Sequence, residues 1–526
     1  MLAAMLAVCS TAIPASADLE VAHTLGDVNG DGDITVSDAV LVARIAAEDS
    51  SLTTISQAAL NAADVNQDGM TDQGDLTNML RYIAGLIPFV SGEKDAGPHD
   101  YAATNLTENV TKQLDLDAQT AEGFRSAQLD FTANLLKGVA KEKGTADNML
   151  VSPYSVAMAL GMTANGAKGE TLAEMEKVLG GKLNLKDLNE SYLSILQHSP
   201  SSENVKTISD MSGDDEYNSR PATLDIADSV WYQKDPNKMV VPEQFLHNMV
   251  DYYHAEAYAA ENFNLPVIKD INYWVKQKTH GMINGILPED GSKSYDNMVM
   301  VLINALAFEG DWSSPFEDGQ VHRKEFTMEN GKIMASDMMY DDGNTYYEDE
   351  EAIGFKKYYQ GYKYSFIGVL PNKDISIADY TKNLDGKKLE AFLNSETHDY
   401  DVDYSIPKFK YDFSLSLKGT LIEMGMPTAF DNSKADFTGL CSGAEDVTYI
   451  DDVLHKTFIE LDQKGTRAAA VTAVLMYNEG VAAPRETKTV ILDRPFVYMI
   501  YDEEAKLPVF IGSVMQPSEA GSQADS

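Results

Sequence analysis

Through the first ninety residues, apolar positions recur at helical spacing in two short stretches only, Val40, Leu41 and Ile45, and Leu76, Met79, Leu80 and Ile83. Each stretch directly follows a dozen residues rich in aspartate and poor in apolar side chains. From Gly123 onward, amphipathic helical patterns alternate with long β-branched and aromatic runs, of which Val299 to Phe308 is the clearest. Apolar residues at successive positions, rather than alternate ones, predict a strand buried on both faces. The pattern therefore predicts a small helical module over 22–87 and a large α+β domain from about residue 121. Between them, over 88–120, neither period holds, and Ser91 to Pro98 has the composition of a linker.

The opening stretch, Met1 to Ala17, is apolar and small, and Ala15-Ser16-Ala17 has the small-x-small form of a signal peptidase site. Residues 1–17 are thus expected to be a signal peptide and the chain to be secreted, although the basic start of such a peptide is missing. Its removal would take Cys9 with it and leave Cys441 alone, so no intramolecular disulfide is expected. No later apolar run approaches the eighteen or so residues of a membrane span.

At 526 residues the chain exceeds what one core usually organises, and 44% hydrophobic residues make its bulk globular. The formal charge is 41 − 82 = −41, which repels phosphate backbones and argues against a nucleic-acid partner. Part of that acidity lies in two repeats that start 64 − 27 = 37 residues apart. A twelve-residue calcium loop takes oxygen ligands from positions one, three, five, seven, nine and twelve, with glycine at six. The first repeat offers Asp27, Asn29, Asp31, the Asp33 carbonyl, Thr35 and Asp38 around Gly32. The second offers Asp64, Asn66, Asp68, the Met70 carbonyl, Asp72 and Asp75 around Gly69. Such crowded carboxylates repel one another unless a cation binds, so two calcium ions are expected.

A loop followed by a helix, twice, with aspartate at position twelve, resembles a dockerin, a small all-α calcium-binding domain. The resemblance implies a cohesin domain on a scaffold protein as partner, selected by Val36, Ser37, Arg44, Gln73, Gly74 and Arg81.

The large domain carries no nucleophile elbow, no H-E-x-x-H, no phosphate loop and no dinucleotide fingerprint, so an enzyme is poorly supported. Segments in order along it resemble serpins: Asn148 to Ser155, Gly166 to Thr171, Ile271 to Val275, Leu302 to Ala305 and Gly310 to Trp312. Further on come Ile406 to Phe409, His455 to Phe458, Arg494 to Phe496 and Phe510 to Val514. The resemblance implies an α+β serpin fold over 121–517, with multi-stranded β-sheets, surrounding helices and an exposed reactive loop, and leaves 518–526 as a tail. It also implies an inhibitor that a target serine protease cleaves and is trapped by, its serpin domain monomeric. The hinge would be Gly465, Thr466, Arg467, Ala468, Ala469, Ala470, Val471 and Thr472. Strand alternation puts Thr466, Ala468, Ala470 and Thr472 on one face, all small enough to be buried. Arg467, where the family commonly has glutamate, falls on the other face.

By the same resemblance Ser152, Ser155, Asn304 and His455 control sheet opening, and Trp312 lies at the upper end of the opening strand pair. The family spacing puts the scissile bond fourteen residues after Gly465, at Glu479-Gly480, with Met476, Tyr477 and Arg485 as alternatives. The expected function is inhibition of serine proteases within an extracellular, cellulosome-like complex for polysaccharide breakdown, protecting that complex from proteolysis. The alternative is a non-inhibitory serpin-fold binding protein displayed on the same scaffold.

Overall fold

The computed structural model describes residues 26–29, 34, 36–46, 57–63, 65, 71, 76, 79, 99, 101–114, 116–201, 221–234, 241–291, 295, 298, 300–440, 449–466 and 485–520. The chain divides into two compact units, Met1–Asp100 and Tyr101–Ser526. In the first, helix α1 (Val36–Ala46) and helix α2 (Gln57–Ala63) share a core of Val28, Ala39, Val42, Ala59, Ala62, Ala63, Val65 and Met79. The Gly26 N–H donates to the Ala62 carbonyl at 2.8 Å, joining the start of the first repeat to α2. The hydrophobic pattern does not announce α2, because its buried face is built from alanines, which carry little periodic signal.

Among the described residues, the second unit is built on three sheets. The central one contains β1 (Thr104–Asn105), β3 (Thr223–Gln233), β4 (Glu256–Ala260), β5 (Met300–Asp311), β12 (Phe409–Ser416), β13 (Val453–Leu461) and β14 (Gly465–Thr466), in the order β1-β4-β3-β5-β14-β13-β12. A second sheet holds β2 (Met149–Val151), β8 (Tyr346–Glu348), β9 (Ala352–Tyr358), β10 (Tyr364–Pro371), β16 (Phe496–Asp502) and β17 (Leu507–Val514). The third is β6 (Val321–Thr327), β7 (Ile333–Gly343), β11 (Asp401–Pro407) and β15 (Thr487–Ile491). Around them lie α3 (Phe124–Lys143), α4 (Pro153–Ala164), α5 (Gly169–Gly180), α6 (Leu185–His198), α7 (Glu243–Tyr253), α8 (Leu265–Lys278), α9 (Ile377–Asn383), α10 (Gly386–Asn394) and α11 (Lys418–Met424).

The run around Val299 to Phe308 becomes β5, and its alternate side chains enter two different cores. Met300, Leu302, Leu306 and Phe308 join the main core, while Val301, Ile303 and Ala305 join a second one with Ile271, Trp274 and Val275 of α8. Two buried faces explain why that stretch shows no polar alternation.

Residues 101–120, which composition assigns to the linker, belong to the large unit. β1 pairs with the edge strand β4 through Thr104↔Ala259 and Asn105↔Tyr258. Ahead of it, the Asp270 carboxylate on α8 accepts the Ala102 N–H at 2.7 Å and the Ala103 N–H at 3.4 Å. Tyr101 packs among Trp231, Tyr258 and Tyr273. Composition misjudges this strap because its partners lie more than a hundred residues away.

Candidate functional site

The central sheet has a seam. Strands β5 and β13 run parallel and pair directly through Val453↔Leu302 and Leu454↔Ile303. At the other end β14 lies between them, with Gly465↔Asp311 and Thr466↔Gly310 on one side and Thr466↔Leu461 on the other. The turn from β13 into β14 is held by the Asp462 carboxylate, which accepts the N–H groups of Lys464 at 2.7 Å and Gly465 at 3.2 Å. Position 465 has to be glycine here, since a Cβ would collide with the Gly310 carbonyl oxygen.

Above the seam Trp312 fastens this turn. Its backbone N–H donates to the Lys464 carbonyl at 2.8 Å and its indole N–H to the Asp462 carbonyl at 3.0 Å. The indole stacks on Tyr359, 4.4 Å between ring centres, and the Tyr359 hydroxyl lies 2.6 Å from the Thr466 hydroxyl. Thr466 is buried. A lysine also lies under this corner: Lys357, with its Nζ 2.5 Å from an Asp341 carboxylate oxygen and 4.3 Å from the Phe316 ring centre. Burial draws the Lys357 amine below its ordinary value, against the pull of Asp341.

Lower down, where β5 and β13 still pair, four elements bring a buried polar cluster together. Ser152 caps α4, its Oγ accepting the Ser155 N–H at 3.3 Å and donating to the Val509 carbonyl at 2.9 Å. Its backbone N–H donates to His455 Nε2 at 3.1 Å, so the imidazole proton resides on Nδ1. Burial holds that imidazole down at about 4 and therefore neutral. Asn304 donates from Nδ2 to the Ser155 carbonyl at 3.0 Å and to Asp228 Oδ1 at 2.5 Å.

Ser152, Ser155, Asn304 and His455 are thus within one network, and Trp312 stands at the opposite end of the seam. Asp228 and Lys357 escape sequence reasoning. The available signal for Asp228 is an aspartate inside a strand pattern, an uncommon residue there.

In the first unit, Asp27 and Asp38 are both buried, and Asp38 Oδ1 accepts the N–H groups of Val28 at 2.9 Å and Asn29 at 3.0 Å. Two enclosed carboxylates and the Asn29 amide in one loop are the donor chemistry of a hard, oxygen-seeking cation, so the first loop fits calcium. Ser37 is exposed and Arg44 half-buried on α1, which Val36 begins. Asp31, Asp33, Thr35, Asp64, Asn66, Asp68, Met70, Asp72, Asp75, Gln73, Gly74 and Arg81 lie outside the described residues, as do residues 1–17, Cys441 and 467–484 with the Arg467–Thr472 hinge, Met476, Tyr477, Glu479 and Gly480. Arg485 is described and exposed, two residues before β15.

Residues 126–517 match the family model described as serpin (serine protease inhibitor). The chain belongs to the serpin family. Residues 25–84 match the dockerin type I domain, so this serpin carries a dockerin in front of it. An uncharacterised serpin-like protein of Thermococcus kodakarensis is 29% identical over 398 residues, 74% of this chain and 84% of its own length. The leukocyte elastase inhibitor of Homo sapiens is 28% identical over 413 residues, 75% of this chain and all of its own. Among solved structures, the thermophilic serpin tengpin in its native state is 37% identical with a TM-score of 0.69, covering 79% of this chain and 99% of tengpin. Its latent state gives 34% identity and a TM-score of 0.62, covering 77% of this serpin and 100% of the other chain. Dockerin type I domains usually bind calcium and engage cohesins, and serpins typically inhibit proteases rather than act as enzymes. Among the described residues no helix is long and apolar enough to cross a membrane.

Proposed function

We propose that this serpin is a secreted, suicide inhibitor of serine proteases, docked through its dockerin to a cohesin on an extracellular, cellulosome-like scaffold that it protects. The observation that carries the reading is the seating of Gly465 and Thr466 at the mouth of the seam, the first two residues of a strand that can lengthen. Each further loop residue steps one position down β5 and one down β13. Residues 467–472 would then fill the six positions Asn304 to Glu309 of β5, up to the direct β5–β13 pair. Directly opposed residues share a face. Ala468, Ala470 and Thr472 would thus lie on the side of Ile459, Thr457 and His455, all buried. Small side chains fit there, and Thr472 would arrive between Asn304 and His455.

The chemistry begins on the protease. Its serine oxygen attacks the carbonyl of the scissile residue, the C–N bond breaks, the amine side of the loop leaves, and the hinge side stays as an ester on the enzyme. Freed at one end, the hinge enters the seam as a new strand and carries the acyl-enzyme with it. Six residues bonded on both edges add up to a dozen ladder hydrogen bonds, on the order of 10 kcal/mol gross at about 1 kcal/mol each, before chain entropy opposes them. The uncut fold is accordingly held by kinetics.

Glu479-Gly480 remains the favoured bond. Arg485 is a poorer choice, because the next residue is committed: the Asp401 N–H donates to the Glu486 carbonyl at 3.1 Å as β15 begins. Protection of a polysaccharide-degrading complex follows from the dockerin address. The test is to mix the full chain with subtilisin-type, chymotrypsin-type and glutamate-selective proteases. An SDS-stable adduct with one of them is expected, and mass analysis of the released peptide assigns the bond. Clean cleavage by all three, with no adduct and no gain in thermal stability of the cut form, would refute the reading.

A further inference from the structure

Asp228 and Asn304 face each other directly across β3 and β5. The Asn304 amide gives one hydrogen to Asp228 Oδ1 and the other to the Ser155 carbonyl. Both partners are acceptors, so the orientation is fixed: a flipped amide would set its own oxygen against the Ser155 carbonyl oxygen. Three side-chain atoms of these residues are buried without a hydrogen-bond partner among the described residues, Asn304 Oδ1 and Asp228 Oδ2 of the pair and Ser155 Oγ beside it. A leftover acceptor on each member of a pair already joined by one hydrogen bond is what an acid–amide pair looks like with its second hydrogen undrawn. Burying two such acceptors unsatisfied is costly, and one proton between them removes both costs.

We propose that Asp228 is a positioning residue of the seam, protonated while the sheet is closed and donating from Oδ2 to Asn304 Oδ1, so that loss of this proton favours opening between β5 and β13. The proton locks the Asn304 amide, which in turn ties β3 and β5 to Ser155 at the head of α4. Ionised, Asp228 would be a buried carboxylate holding one hydrogen bond, from the Asn304 amide.

The groups that face this carboxyl do not supply a cation to replace the proton. Asn304 comes from β5, Ser155 lies behind it on α4, and the Tyr253 phenol from α7 is committed to Asn189 Oδ1 at 2.6 Å. Burial pushes the Asp228 carboxyl up to about 7, and the Asn304 bond only partly offsets that rise. The sign follows. A carboxyl in water titrates at about 4, so the closed sheet holds a proton that the opened one releases. Opening gains up to about tenfold per pH unit between about 4 and about 7 and then levels off. His455, the other titrating group of the cluster, works oppositely. Burial favours its neutral form, so its contribution falls away as pH drops from about 6.5 to about 4.

The wild-type profile is therefore a composite, and a ratio isolates Asp228. The unfolding rate of the full chain is followed in urea by fluorescence of Trp231, Trp274 and Trp312, for wild type and Asp228→Asn, from about pH 5 to about pH 8. Asparagine keeps an N–H toward Asn304 and cannot ionise. The wild-type-to-variant ratio is expected to rise severalfold or more per unit up to about pH 7 and to flatten above it. A ratio independent of pH overturns the proposal. If the variant does not fold, infrared difference spectra of the wild type carrying isotope-labelled aspartate decide. A protonated aspartic carbonyl band that vanishes across about pH 7 is expected, and its absence overturns the proposal. Both readouts are of opening and protonation, not of protease trapping, so they stand apart from the inhibitor reading.

Discussion

Arg467 offers the sharpest test of how the seam is filled. In the proposed insertion, continuing the register of Gly465 and Thr466 would put it between Glu309 of β5 and Glu460 of β13, on the face opposite Thr466. Many serpins have glutamate at this point, yet here Arg467→Glu would set a third carboxylate between two others. Opposite charges directly across a strand pair contribute roughly 0.2–1 kcal/mol, and like charges cost about as much. Reversing two such pairs changes the inserted state by roughly 1–4 kcal/mol. Glu460 is already shared with the Lys410 ammonium at 3.2 Å, and both sites are partly open to water, so about 1–2 kcal/mol is the working figure. That corresponds to roughly 5–30-fold slower insertion if the pairs form before the rate-limiting step.

The assay is the number of inhibitor molecules cleaved for each protease molecule trapped. Arg467→Glu is expected to raise that number several-fold, less so at high salt, and Glu309→Arg in the same chain to bring it back down. Trapping by Arg467→Glu at wild-type efficiency, or a double variant as poor as the single one, would refute the register.

Chelating calcium is expected to abolish cohesin capture by the full chain in a pull-down while leaving protease trapping within about twofold, because the loop carboxylates Asp27 and Asp38 belong to the first unit alone; joint loss would contradict it. Asp270→Ala removes the acceptor of the Ala102 and Ala103 N–H groups and should speed unfolding in urea, by roughly 1–3 kcal/mol of lost stability, with Asp270→Asn milder because it keeps an acceptor oxygen. Equal unfolding rates for all three proteins would mean that the strap is not held by this carboxylate.

Much of this protein is written locally. The calcium-loop spacing of the two repeats and the apolar run that becomes β5 depend on neighbours a few residues apart. The small residues of the proposed hinge are local too, since strand alternation alone would sort Thr466, Ala468, Ala470 and Thr472 together. Other features exist only because distant segments meet. Asp228 reads as one more surface acid until β3 and β5 pair and α4 closes over them. Lys357 looks like an ordinary solvated charge until Asp341, Phe316 and Tyr404 enclose it, and 101–120 looks like linker until β4 and Asp270 give it partners. A residue's propensity is set by its own side chain and near neighbours, whereas the cost of burying a charge, and the partner that relieves it, are set by whatever the fold brings within a few ångströms.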